Sequence, residues 1–190
     1  TYSPEYGTAE DCNYDIALLR WGCNTLLEAS RILSVDDELI PRWKQVAEYL
    51  TDYPQDENGM MIGKDVPFSR SHRHYSHLLM FYPLYLLNAE QNGSKELMEK
   101  SVEHWHSLPG NILGYTYTGA SSLYAAFGEG DKALEKLNGL FARTLHPNTM
   151  YMESGPVIET PLSGAQCIHD MLLQSWGGKI RVFPAVPSQW

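Results

Sequence analysis

Between Tyr117 and Phe127 the chain passes through Thr118, Gly119, Ala120, Ser121, Ser122, Ala125 and Ala126. A helix made of such small side chains lets its neighbours approach closely, because interaxial distance follows the bulk at the contact. Such a helix belongs on the inside of a helical array. That requirement constrains the fold more than any other stretch.

The flanking sequence supplies further helices. Asn13 is placed to cap one running to about Leu33, with Ile16, Leu19, Cys23, Leu26, Leu27, Ser30 and Leu33 at helical spacing. Ser34 or Asp36 caps a second, whose face is Leu39, Ile40, Trp43, Val46, Ala47 and Leu50, and Pro54 ends it. A third is expected from about His77 to Leu87, a fourth from Ser94 to about Ser107, and a sixth from Lys132 to about Leu145. Pro161 opens a seventh through Trp176, closed by Gly177-Gly178. Short strands are expected at Met60–Ile62, Thr149–Met152 and Lys179–Phe183. The expected fold is all-α with minor short β-strands. Helices paired by short connections stack into bundles, solenoids or α/α toroids.

A length of 190 residues suits a single domain over 1–190, or a fragment of a larger one. Net charge is −9, which disfavours nucleic acid or an anionic membrane as partner. Cys12, Cys23 and Cys167 are widely spaced and form no CxxC, so they read as small core residues. The chain starts at Thr1 rather than Met, as a piece of something longer would.

The chemistry concentrates in Ser71-His72-Arg73-His74-Tyr75-Ser76-His77-Leu78, which holds three of the seven histidines. So many planar hydrogen-bonding groups before an apolar run suit the wall of a polar ligand site, or a structural network tying loop to helix. His72, His74 and His77 also invite a metal-site reading. Arg73 between two of them opposes a cation, and no CxxC or HExxH accompanies them. Two acids stand apart from the solvated helix faces. Glu5 sits in Ser3-Pro4-Glu5-Tyr6-Gly7, and Glu159 sits between Pro156 and Pro161. Restricted, partly desolvated carboxyl groups suit acid–base work, and glycoside hydrolysis needs two of them across one bond.

Three blocks, in order, resemble glycoside hydrolase family 95, the inverting α-L-fucosidase and α-L-galactosidase family. They are Ser3-Pro4-Glu5; His72-Arg73-His74-Tyr75-Ser76-His77-Leu78 with Tyr82-Pro83; and Met171-Leu172-Leu173-Gln174-Ser175 followed by Ile180 to Pro187. Thr118-Gly119 and Gly128-Glu129-Gly130-Asp131 resemble its inner-helix and turn region. The resemblance implies the C-terminal half of an (α/α)6 toroid, with the remainder of the catalytic domain upstream as partner. It implies Glu5 as general acid, and Arg73 and His74 on the sugar subsite, with His72, His77 and Thr118 in support. The family's Asp-Gly-Asn-Phe-Gly run, whose aspartate is the base, is replaced by Glu159-Thr160-Pro161-Leu162-Ser163, so that role passes to Glu159. The tryptophan common after Thr-Gly is Ala120. The implied substrate is an oligosaccharide or glycan bearing terminal α-linked fucose or galactose. No cofactor or metal is implied, and a secreted or periplasmic location follows from resemblance alone.

Three readings are therefore open at the level of sequence. The first is a two-carboxylate glycosidase. The second is a catalytically silent carbohydrate-binding or structural remnant of it. The third is a metal hydrolase built on His72, His74 and His77.

Overall fold

The computed structural model describes every residue except Thr1, Pro4, Glu5, Ser154 and Pro156, and only the backbone of Tyr2 and Ser3. The candidate acid Glu5 thus lies outside the described residues. The chain forms two compact units, residues 1–68 with 76–86, and residues 69–75 with 87–190.

The first unit holds two antiparallel strand pairs, β1 (Tyr2–Ser3) with β2 (Gly7–Thr8) and β3 (Gln55–Asp56) with β4 (Gly59–Met60). Its helices are α1 (Asn13–Leu33) and α2 (Ile40–Tyr49). Asn13 does not cap α1. It is the first helical residue, after Cys12 at the cap position. Its side-chain amide instead donates to Pro54 O (2.8 Å) and Met61 O (2.7 Å), tying the start of α1 to the open end of the β3–β4 hairpin. Neither Ser34 nor Asp36 caps α2. Asp37 Oδ1 accepts from Leu39 N–H at 2.8 Å just before the first turn, and Pro41 takes the early position where its missing N–H costs nothing.

The expected helix from His77 to Leu87 does not form. A single 3-10 turn at Ser76–Leu78 gives way to irregular turns through a cis Tyr82-Pro83 bond. Pro83 would remove a helical hydrogen bond and clash with the carbonyl four residues back. His77 is buried here, its ring stacked on Phe68 with centroids 4.2 Å apart.

The second unit contains α3 (Ser94–Ser107), α4 (Gly114–Ala126), α5 (Gly130–Thr144) and α6 (Glu159–Leu172). The small-residue stretch is its central helix. Of the thirteen residues of α4, all but Tyr115 are buried. Helix α4 starts at Gly114, earlier than its apolar pattern suggests, because Thr116 Oγ1 accepts from Leu113 N–H at 3.1 Å and closes the first turn. At Gly119 an added Cβ would collide with the ring of Tyr75, so the absent side chain is what lets that ring lie on the helix.

A polar seam joins α4 to α6. Ser122 Oγ donates to Asp170 Oδ2 at 2.7 Å, and Gln166 Nε2 donates to Asp170 Oδ1 at 2.8 Å. Cys167 is buried in the same seam, its thiol 3.2 Å from Thr118 O, and burial pushes its pKa up. All three cysteines are buried and free.

Helix α6 stops at Leu172 rather than Trp176. The chain turns into β5 (Leu173–Trp176), antiparallel to β6 (Lys179–Val182), with Trp176 opposite Lys179. Gly177 and Gly178 both have positive φ (60° and 71°), the backbone of a two-residue hairpin turn rather than a helix stop. Gln174 locks the change of direction by donating to Ala125 O (2.7 Å) and Asp170 O (2.8 Å). The described residues therefore hold six α-helices and short strand pairs, an all-α fold with minor β structure. Among them no helix is long and apolar enough to cross a membrane.

Candidate active site

The second unit brings together Arg73, His74 and Glu159 around Tyr115. The segment 69–75 is pinned at both ends of its motif. Trp105 Nε1 donates to His72 O at 2.7 Å, and the Tyr75 ring lies 5.7 Å from the Trp105 ring and against Gly119. Between these anchors His74 N–H donates to His72 Nδ1 at 3.2 Å. An accepting Nδ1 leaves the proton of a neutral His72 on Nε2. His72 therefore shapes the loop that presents half-buried Arg73 and the His74 ring. That ring meets the Tyr115 ring edge-on, centroids 5.7 Å apart.

Tyr115 is the second residue of α4 and the one that escapes burial there. Glu159 is the first residue of α6, and it is exposed. The Tyr115 phenol carries a pKa raised above its ordinary value, first by burial, then by the charges of Glu159 and Glu153, with Arg73 opposing. Two carboxylates and a guanidinium thus lie within electrostatic reach of one hydroxyl, which stays protonated and able to donate at neutral pH.

Glu153 is the member that the sequence did not single out. Its Oε2 accepts from the Tyr151 hydroxyl and from Thr160 Oγ1 at 3.4 Å. The same oxygen lies 2.6 Å from where a Cβ on Gly114 would stand. Its Oε1 is sealed from solvent and has no hydrogen-bond partner among the described residues. Leaving such an oxygen unpaired costs about 1–3 kcal/mol. An acid beside a helix N-terminus recovers roughly 0.3–1 kcal/mol of that. Tyr151 has its pKa pushed up to about 12, by burial and then by the bond to Glu153. The clue available in the sequence was weak. Glu153 is one of two acids in the irregular 146–160 stretch, with Glu159, and only its partners Gly114, Tyr151 and Thr160 give it meaning.

The remaining sequence candidates fall elsewhere. Thr118 is wholly buried one turn beyond Tyr115, with its Oγ1 unpaired among the described residues. His77 belongs to the first unit and packs on Phe68. Among the described residues no three His, Cys, Asp or Glu side chains converge as a metal site requires.

The family model of the glycosyl hydrolase family 95 catalytic domain matches residues 1–172. The chain belongs to glycosyl hydrolase family 95. No curated protein matches it. The family 95 match ends with the last residue of α6, so the whole Tyr115 cluster lies inside it and the β5–β6 hairpin beyond it. The chain is accordingly glycosidase material with a glycan as substrate, and the helical fold expected of part of a family 95 catalytic domain is the fold observed.

Proposed function

We propose that this domain hydrolyses terminal α-linked L-fucose or L-galactose with inversion at the anomeric carbon. Glu5 protonates the glycosidic oxygen as its bond to that carbon breaks. Water attacks the carbon from the opposite face, and Glu159 takes the water's proton. Inversion needs about 6.5–9.5 Å between the two carboxyl groups to admit that water. The fork of Arg73 and the imidazole of His74 bind sugar hydroxyls in fixed directions.

The supporting observation is the gathering of Glu159, Arg73 and His74 about Tyr115 at the N-terminal ends of two helices. A carboxylate, a cation and an imidazole around one hydroxyl donor form a wall suited to a polyhydroxylated ring. The role of Glu5 is supported by the Ser3-Pro4-Glu5 segment alone.

Hydrolysis by the full-length protein followed by NMR tests both assignments. The first sugar released should be the β-anomer. Glu5→Gln should slow methyl glycosides by orders of magnitude and aryl glycosides with good leaving groups far less, since the latter need little acid help. Equal, mild loss on both would remove Glu5 from the acid role. Wild-type turnover in Glu159→Ala would remove Glu159 from the base role.

A further inference from the structure

We propose that Glu153 is a positioning residue that holds the first turns of α4 and α6 together and thereby sets where Tyr115 and Glu159 stand. The proposal rests on the reading of Glu159 as the base.

The geometry is that of a clamp. Thr160, which donates to Glu153 Oε2, is joined by one peptide bond to Glu159. Gly114, against which the same oxygen packs, is joined by one peptide bond to Tyr115. The two side chains that flank the candidate reaction centre are thus each one residue from a group that Glu153 touches. The third contact, from the Tyr151 hydroxyl, fixes Glu153 itself by folding the 151–153 segment back on its own carboxylate. The Thr160 contact, at 3.4 Å, is a long hydrogen bond, so the clamp depends on one oxygen accepting from both hydroxyls while it packs on Gly114.

Glu153 does not meet substrate directly. Its Oε1 has no solvent-accessible surface, and its Oε2 is occupied by two hydroxyl donors. A loop carboxylate present only for solubility would be solvated, and would not lie against a glycine at the start of a buried helix. What the arrangement does is fix the approach of one helix N-terminus to another. In a hydrolase that approach determines whether a base stands at reacting distance from its water. A misplacement of about 1 Å costs up to about 100-fold in rate.

The test is steady-state kinetics of the full-length enzyme on methyl α-L-fucoside and methyl α-L-galactoside, with thermal unfolding of each variant. Glu153→Gln is expected to lose about 10- to 100-fold in kcat, with KM within about twofold of wild type and the folded fraction unchanged at assay temperature. Tyr151→Phe, which frees Glu153 without removing it, is expected to fall in the same direction by a smaller factor. A role confined to folding would lower the amount of active enzyme and leave kcat per folded molecule intact. That result overturns the proposal, as does a Glu153→Gln enzyme with kcat within twofold of wild type. Glu159→Ala is measured alongside. Wild-type turnover there removes the base assignment itself, whereas a slow Glu159→Ala beside a fully active Glu153→Gln removes only the clamp.

Discussion

Glu153 and Gly114 stand so close that the glycine cannot carry a side chain. A Cβ there would lie 2.6 Å from Glu153 Oε2 and closer still to the Tyr151 hydroxyl and Thr160 Cγ2. Gly114 has an ordinary helical backbone, so Ala would suit its conformation and favour the helix by up to about 1 kcal/mol. The steric term decides otherwise. Gly114→Ala is expected to destabilise the fold by about 1–3 kcal/mol through overpacking. Urea unfolding checks the sign, and a stabilised variant would mean that the three neighbours yield freely.

The raised phenol of Tyr151 makes an alkaline prediction. Its pKa, about 12 in the folded chain, lies above its ordinary value near 10. The folded state therefore holds a proton that the unfolded state gives up between those values. The stabilisation is complete below pH 10 and is lost as pH rises from 10 through 12. Tyr151→Phe has no such proton. Its stability, measured by denaturant midpoint, should fall less steeply than wild type across that window. Identical slopes would show that neither burial nor the bond to Glu153 holds the phenol's proton in the folded chain.

Local signals were legible in the sequence where one element determined its own state. The run from Thr118 to Ala126 announced an inner helix because small residues admit neighbours on every side, and it is buried accordingly. The stretch 77–87 misled because its apolar spacing is helical while Pro83 forbids the ladder. Gly177-Gly178 misled differently, since two glycines end a helix or turn a hairpin equally well, and the pairing of Trp176 with Lys179 decides. Arg73 and Glu159 could be picked out as candidates from sequence, but their common neighbour Tyr115 could not. Its position as the one half-buried residue of an otherwise buried helix is a tertiary fact. Glu153 was invisible for the same reason, because Gly114 and Thr160 meet it only when two helix ends converge.

The contact between Tyr75 and Gly119 links the histidine-rich loop to the central helix. Any side chain at Gly119 would enter the space of the Tyr75 ring and displace the loop that carries Arg73 and His74. Gly119→Ala is expected to cost about 1–3 kcal/mol in stability. If that loop binds the sugar, KM should rise several-fold more than kcat falls. A fall in kcat with KM unchanged would mean that the loop contributes to the reaction step rather than to holding substrate.

His106 provides the acid-side counterpart. It lies on α3, its ring edge-on to Trp105 (5.1 Å) and Tyr117 (6.2 Å), with Nε2 buried and without a partner among the described residues. Burial, and then the charge of Lys136, lower its pKa to about 4, against a backbone hydrogen bond at Thr116 and the charge of Glu135, which favour protonation. The unfolded chain, with a pKa near 6.5, binds a proton that the folded chain refuses until about pH 4. Stability is therefore full above pH 6.5 and declines as pH falls from 6.5 through 4. A displacement of that size corresponds to about 3 kcal/mol between the two protonation states. Carboxylates also titrate in this range, so the informative quantity is the difference from a variant. His106→Leu lacks the titrating group, and its urea midpoint should change less than that of wild type between pH 7 and pH 4.5. Equal changes in the two proteins would mean that the imidazole is protonated in the fold without penalty, and that its packing against Trp105 and Tyr117 tolerates the charge.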